Sequence, residues 1–394
     1  MLQLSFVNFR KDSFILVEGN PCGDRFFIIR SGSVRCVKER AVVQSATFGP
    51  GDFIGVVPCL SGHAQTESVI AVTDVVVIAV NRNQYPDLIQ QNTPVAMKII
   101  RTFANRMRIM NEVLTQLTFK GVAVVSPEQL FAIASYYEKE GKINLAVYGY
   151  YQYLKACPSG VNAVRAKDRF IALKPRSRAV HFEPNQDLIR EYPKDTMIFS
   201  ECQSGHDMYI IQEGQVKITK VVDNNEVILA VLKKGDFFGE MALLEDKPRS
   251  ASAIAHEACR LMVVNRKNFD QMVASQPQLV SRLTITLSER LWAMERQLTN
   301  TEISDPVFKM VDMLALQIEK AKIAAVDSPV KVSFTFDLSP EDIADMCGIS
   351  HDMQGMAINR FMDTAPVRRD GRKLLVTDCL EVIKSAAVHR KQKH

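Results

Sequence analysis

Glu240 and Arg249 are the two side chains whose types and spacing best suit the capture of a small anion. They lie in Phe238-Gly239-Glu240-Met241-Ala242-Leu243-Leu244, followed by Pro248-Arg249-Ser250-Ala251-Ser252. The pattern reads as a glycine-containing loop that opens a short helix. A buried Arg makes charge-assisted hydrogen bonds to a phosphate, each worth about 1.5 to 3 kcal/mol. Amides at a helix start add donors, and a nearby carboxylate accepts a ribose hydroxyl. Spacing alone leaves a blander alternative open, a salt bridge between Glu240 and Arg249 that holds the loop shut.

The elements that must position this loop occur twice. GDFIGVVPCLSGHAQTESVIA at 51–71 and GDFFGEMALLEDKPRSASAIA at 235–255 align without a gap. Upstream of each, FFIIRSGSVR from Phe26 and MYIIQEGQVK from Met208 alternate apolar residues around a Gly turn, the signature of two paired strands. Many short β-branched runs between Gly and Asp turns predict a β-roll or jelly-roll. The first copy keeps Gly51, Asp52 and Gly55, but carries Val56 for Glu240 and Gln65 for Arg249. Val cannot accept from a ribose, and a neutral amide cannot neutralise a phosphate. The first roll is therefore expected to dock structurally, with a different and less charged ligand as the alternative.

Each roll is followed by a helical pattern. Ile100, Phe103, Met107, Met110, Leu114 and Leu117 recur at steps of three and four, and Leu283, Leu287, Leu291, Met294 and Leu298 nearly repeat this. Either these helices pack on their own rolls or they form a dimer seam. Between the modules, Leu130, Ala134, Tyr137, Gly141, Ala146, Tyr150 and Pro158 fall at the spacings of a tetratricopeptide repeat. One such repeat cannot bury its own face, so residues 127–158 are expected to form a helical hairpin docked on a roll, with a groove for a protein partner as the alternative.

Past Asn300 the chain changes character. Asp305 and Pro306 read as an N-cap and first helical residue, and Val307, Met310, Val311, Leu314 and Ile318 share one face. VKVSFTF from Val330 alternates as a strand, and Ser339, Pro340, Glu341 and Asp342 start a capped helix. A brief Cys347-Gly348-Ile349 link then leads to Ser350 and another helix. RRDGRKLLV from Arg368 reads as a basic hairpin that turns at Asp370 and Gly371. From Glu302 onward there are 13 Lys and Arg against 14 Asp and Glu, whereas from Pro366 the balance is eight against three. Only the hairpin and tail are basic.

The second loop closely resembles the phosphate-binding cassette of cyclic nucleotide-binding domains. That resemblance implies that Glu240 holds the ribose 2′-hydroxyl and that Arg249 and Ser250 hold the cyclic phosphate. Phe238, Gly239, Met241, Ala242 and Ala251 complete the pocket. Over roughly 180–394 the order of roll, long helix, helix-turn-helix and basic hairpin resembles the catabolite-activator (Crp-Fnr) family of bacterial transcription regulators. The resemblance places Met294 and Glu295 near the base of the nucleotide, where cyclic AMP-binding relatives carry Thr-Ser. It implies DNA contacts from Ser350, His351, Asp352, Gln354 and Arg360 on the second helix of the pair, and from Arg368, Arg369, Arg372 and Lys373 on the wing. The family commonly has Arg-Glu after the capping Ser and a further Arg one turn on, whereas this chain has His351, Asp352 and Met356. Cyclic AMP is the expected ligand, with cyclic GMP as alternative. A homodimer is expected, because a two-fold protein matches a palindromic site.

Composition bounds these readings. The 394 residues are 47% hydrophobic and 24% charged, the balance of folded domains and not of a disordered chain. A formal charge of +5 is modest for this length, so a nucleic-acid contact has to come from a local patch. The start lacks the pattern of a signal peptide, and no apolar run approaches the roughly 20 residues of a membrane span. A cytoplasmic protein is expected. The eight cysteines and seven histidines are scattered, which gives no metal site and no catalytic apparatus. The expected fold is α+β in four segments. Residues 1–118 form a degenerate cyclic nucleotide-binding-like roll, 119–178 a tetratricopeptide-like linker, 179–300 a cyclic nucleotide-binding roll with a long helix, and 301–394 a winged helix-turn-helix. The expected function is a ligand-responsive transcription regulator, and the alternative is a nucleotide-sensing interaction protein whose winged helix no longer reads DNA.

Overall fold

Short β-branched and aromatic runs separated by left-handed glycines fold both repeats into pairs of four-stranded antiparallel sheets. The computed structural model of the chain describes residues 5–38, 46–119, 126–183, 187–222, 225–323 and 331–391. The first roll comprises β1 (Ser5–Phe9), β2 (Phe14–Leu16), β3 (Arg25–Ser31), β4 (Val34–Val37), β5 (Ala46–Phe48), β6 (Phe53–Ile54), α1 (Val56–Ser61), β7 (Ser68–Ala71) and β8 (Val75–Asn81). Its sheets run β1-β8-β3-β6 and β2-β7-β4-β5. Helices α2 (Tyr85–Gln91) and α3 (Thr93–Phe119) follow, then α4 (Gln129–Lys139), α5 (Ile143–Ala156) and α6 (Ala163–Leu173).

The second roll repeats this plan with β9 (Ile189–Tyr192), β10 (Met197–Phe199), β11 (Met208–Glu213), β12 (Val216–Val222), β13 (Asn225–Leu232), β14 (Phe237–Phe238), α7 (Glu240–Glu245), β15 (Ser252–Ala255) and β16 (Cys259–Val264). Its sheets, β14-β11-β16-β9 and β10-β15-β12-β13, match those of the first roll strand for strand. Register fixes the equivalences residue by residue. Phe27 faces Ala79 as Tyr209 faces Val263, and Leu16 faces Val69 as Phe199 faces Ala253. Val7 faces Val77 as Arg190 faces Leu261, and Phe9 faces Val75 as Tyr192 faces Cys259. Helices α8 (Arg266–Ser275) and α9 (Pro277–Thr301) complete this repeat.

Contacts gather the chain into two compact units. One holds Met1–Leu88, Glu112–Lys120 and Leu287–His394, and the other Ile89–Asn111 and Gly121–Thr286. The two long helices are the reason this grouping differs from the four sequence segments, since each roll shares its unit with part of the helix that follows the other roll. Leu283, Leu287, Leu291 and Leu298 of α9 are buried as their spacing predicts, while Met294 is half-buried. On α3 the stripe is buried from Ile100 to Leu114, and Leu117 is exposed.

Helices α4 and α5 cross closely because Gly149 lies against Ala134, where an added Cβ would come within 2.9 Å. The pair packs on the second roll, with Leu130, Tyr137, Tyr148 and Tyr153 sharing a core with Met197, Cys202 and Ile254. Tyr148 donates to the Ile198 carbonyl at 3.2 Å, and Lys142 pairs with Glu226 at 2.5 Å.

In the C-terminal segment, α10 (Pro306–Lys320) is capped by Asp305, whose carboxylate accepts from the amides of Val307 and Phe308. β17 spans Phe334–Phe336, and Val330, expected to begin that strand, lies outside the described residues. Ser339 and Asp342 form a reciprocal capping box on α11 (Pro340–Met346). A turn then leads to α12 (His351–Thr364), the hairpin β18 (Val367–Asp370) with β19 (Lys373–Val376), and α13 (Cys379–Lys391). Gly371 at the hairpin tip has φ of 61°, a value that favours glycine. Phe361, Leu374, Val376 and Val382 fill the core beneath.

Candidate functional site

Gly239 starts the site. Its φ of 79° turns the chain out of β14 into α7, and an added Cβ would meet Arg249 Nη1 at 2.8 Å and the Asp207 carbonyl at 3.2 Å. Conformation and space both demand glycine. The Arg249 guanidinium fills that space and donates from Nη1 to the Gly239 carbonyl at 2.7 Å. It lies 4.2 Å above the ring of Phe199 and 6.0 Å from that of Tyr209, which itself stacks on Phe238. The Arg249 backbone is held on both sides, its amide by the Gln203 carbonyl and its carbonyl by the Cys202 amide, each at 2.9 Å.

Arg249 is only 4% exposed, and its Nε has no acceptor among the described residues. Burial pulls the guanidinium below its ordinary value, opposed by Tyr209, Asp207, Tyr148 and Glu240 around it. A buried cation with an unmet donor is costly alone and ready for an anion. The loop closes through the Gly239 carbonyl and not through a salt bridge to Glu240. Glu240 is the first residue of α7 and is 2% exposed, with Met241 and Ala242 buried behind it. Ala251 is buried, and Ser250 is half-buried with its hydroxyl 3.8 Å from the Met241 sulfur. The structure therefore brings together Phe238, Gly239, Glu240, Met241, Ala242, Arg249, Ser250 and Ala251.

Met294 and Glu295 belong to the other compact unit, where Glu295 pairs with Lys38, next to β4 of the first roll, at 3.4 Å. Several neighbours of Arg249 escape sequence reasoning. Arg190 on β9 is 5% exposed and reaches Asp207 at 3.6 Å, while Tyr148 arrives from α5 and accepts from Gln203. Their signal lies in the repeat itself, because Val7 stands where Arg190 does.

Arg108 of α3 is a further surprise. It is 6% exposed, ion-paired with Glu245 at the end of α7, and bonded to the Pro248 carbonyl at 3.0 Å, one residue before Arg249. Its repeat equivalent on α9 is Trp292, which stacks on His63 at 3.6 Å. His63 in turn is the equivalent of Lys247. Each cassette loop is thus gripped by the helix that follows the other roll.

On the C-terminal segment, Ser350 caps α12 by backbone geometry, and its carbonyl accepts from Met353 and Gln354. The side chain of His351 lies outside the described residues. Gln354 is engaged, donating to Asp345 at 2.6 Å and to the Ile349 carbonyl at 3.0 Å. Arg360 sits 3.9 Å from Asp305, Arg369 2.6 Å from Glu341, and Lys373 3.7 Å from Asp337. Arg368 and Arg372 are exposed, and no ion pair involves them among the described residues. Asp352, Met353 and Met356 are exposed on α12. Below, Asp312 of α10 accepts from Arg296 and Asn300 of α9 and pairs with Arg390 of α13, so three helices share one buried charge cluster. Among the described residues no group of three His, Cys, Asp or Glu is placed to hold a metal, and no helix is long and apolar enough to cross a membrane.

Comparison with known proteins matches residues 6–92 and 189–276 to the cyclic nucleotide-binding domain. Among similar proteins, a CRP-like cAMP-activated global transcriptional regulator of Mycobacterium tuberculosis is 27% identical over 191 residues, which cover 48% of this chain and 83% of the relative. The cAMP-activated global transcriptional regulator CRP of Pasteurella multocida is 25% identical over 190 residues, 48% of this chain and 89% of its own. Among solved structures, the c-di-GMP responsive global regulator CLP of Xanthomonas campestris shares 20% identity with a TM-score of 0.37, covering 48% of this chain and 92% of its own. The two matched ranges coincide with the two β-rolls, each of which is similar to the cyclic nucleotide-binding domain.

Proposed function

We propose that the chain is a cyclic nucleotide-responsive transcription regulator of Crp-Fnr type, with its ligand in the second roll. The observation that carries this reading is Arg249, a buried guanidinium with an unmet Nε donor beside a left-handed glycine. A cyclic phosphate supplies the missing acceptor and neutralises the charge. Glu240 takes the ribose 2′-hydroxyl and Ser250 a phosphate oxygen, while Phe238, Gly239, Met241, Ala242 and Ala251 shape the walls. Cyclic AMP is the favoured ligand because the similar regulators carry that name, and cyclic GMP is the alternative.

Output runs through α3. Its Arg108 holds Glu245 and Pro248 at the edge of the cassette, so a shift of that loop on binding is felt directly by the helix. The tetratricopeptide-like hairpin acts as a brace, since Tyr137 and Tyr148 are spent on the second roll. The C-terminal segment acts as a winged helix-turn-helix, with Ser350, His351, Asp352, Gln354 and Arg360 on its reading helix and Arg368, Arg369, Arg372 and Lys373 on its wing. Two chains, each bringing its winged segment, meet a palindromic site as a homodimer.

A second reading, a nucleotide-sensing interaction protein, is favoured by the face of α12. There Gln354 is tied to Asp345 and the exposed residues include Asp352, Met353 and Met356. Selection from a random DNA library with and without cyclic AMP separates the two. A nucleotide-dependent enriched motif is expected, and absence of DNA retention even near low salt contradicts the regulator reading.

A further inference from the structure

The outer face of α12 presents thioethers where direct reading of bases calls for hydrogen-bonding groups. Met353 is 40% exposed and Met356 58%, one turn apart in the first half of the helix, while Ala357, Ile358 and Phe361 bury the opposite face. The polar candidates are drawn elsewhere. Gln354 donates to Asp345 and to the Ile349 carbonyl, and Arg360 lies beside Asp305 at 3.9 Å. Between the two methionines stands Gly355, where an added Cβ would meet nothing within 4 Å. Glycine inside a helix is destabilising relative to alanine, and neither a crowding neighbour nor a left-handed backbone calls for it at this position. It leaves room for something outside the chain to approach the helix closely.

We propose that Met353 and Met356 select thymine, packing against the C5-methyl groups that thymines present in the major groove, with Gly355 admitting the base edges. The inference rests on the reading of residues 301–394 as a winged helix-turn-helix, in which the first residues of the second helix meet base edges. Thymine carries the apolar group of the major-groove edges, and a long, polarizable thioether adapts its shape to such a surface. Charge says what holds the helix there. Asp352 and Asp363 are exposed on α12 and repel phosphate, whereas Arg368 and Arg372 are exposed on the hairpin that follows, in a stretch from Pro366 with eight Lys and Arg against three Asp and Glu. The hairpin supplies the phosphate contacts and the methionines the choice of sequence.

The test selects a random-sequence duplex pool on the full chain with cyclic AMP present, then resynthesises the enriched duplex with uracil for thymine. That exchange removes the methyl and leaves every hydrogen-bonding group in place. Fluorescence anisotropy is expected to show thymines whose replacement lowers affinity about fourfold each, the worth of one buried methyl-sized group. The double variant Met353→Ser with Met356→Ser is expected to bind the thymine and uracil duplexes alike, and since both side chains are exposed it keeps its fold, which thermal unfolding checks. Equal affinity of the parent chain for the two duplexes overturns the proposal and leaves the regulator reading standing. So does a thymine preference that survives in the folded double variant. No retention of any duplex at low salt overturns the regulator reading and this inference together, and leaves the face of α12 to a protein.

Discussion

Arg249 carries a conflict between stability and binding. Among the described residues its Nε has no acceptor and its charge is buried, and a donor of that kind left unmet costs about 1 to 3 kcal/mol. Arg249→Met keeps the stem over Phe199 and removes the charge. It is expected to raise the unfolding free energy of the nucleotide-free protein by about 1 kcal/mol in urea titration while abolishing nucleotide binding. A destabilised variant would mean that the guanidinium is already satisfied. Sequence made this residue legible because its motif is contiguous: Gly239, Glu240, Arg249 and Ser250 lie within twelve positions. Arg190, Asp207 and Tyr148 were not legible, since they reach the same place from distant strands and from α5, and only folding juxtaposes them. His63 offers a pH test at the same scale. Burial against Trp292 lowers its pKa from 6.5 to about 4. The unfolded imidazole takes a proton below about 6.5 and the stacked one only near 4, so its contribution to stability is whole above that range and is lost as pH falls through it. His63→Phe is expected to flatten the stability profile between those values, and an unaltered profile in equilibrium unfolding would refute the assignment.

At the scale of elements, the strand orders follow from alternation and glycine turns, which is why both rolls could be read from local pattern. The partnership of the long helices could not. A stripe of Leu at steps of three and four says that a face is buried, not what covers it, and the sequence left own-roll packing and a dimer seam open. The contacts at Arg108 and Trp292 place each long helix against the loop of the other roll, through side chains 184 positions apart that hold equivalent places in the two repeats. Arg108 and Glu245 are both largely buried, and removal of one partner of such a pair costs about 3 to 5 kcal/mol. Arg108→Ala is expected to destabilise the chain by an amount of that order, and Arg108→Met with Glu245→Leu to recover most of it. Additive losses in the double variant would show that the pair is not coupled.

At the scale of the whole molecule, the chain joins two unequal β-rolls to one C-terminal segment, and on the proposed reading charge placement would set how that segment meets DNA. Arg369 and Lys373 face carboxylates, whereas Arg368 and Arg372 do not. Neutralising Arg368 and Arg372 together should therefore flatten the slope of log affinity against log salt by up to about two units per chain, and Arg369→Ala by less. A salt series by fluorescence anisotropy with cyclic nucleotide present checks this, and an unchanged slope would remove the hairpin from the interface. The hairpin's basic composition was evident in sequence, but its pairing was not, because Glu341 and Asp337 lie about thirty residues upstream. The most direct measurement of the central claim is a calorimetric titration of cyclic AMP into the full chain and its Arg249→Ala variant. One nucleotide per chain is expected, with affinity lowered at least a hundredfold when Arg249 is removed, consistent with the loss of one buried charge-assisted contact or more. Two equivalent sites per chain, or unchanged affinity in a folded Arg249→Ala variant, would contradict it.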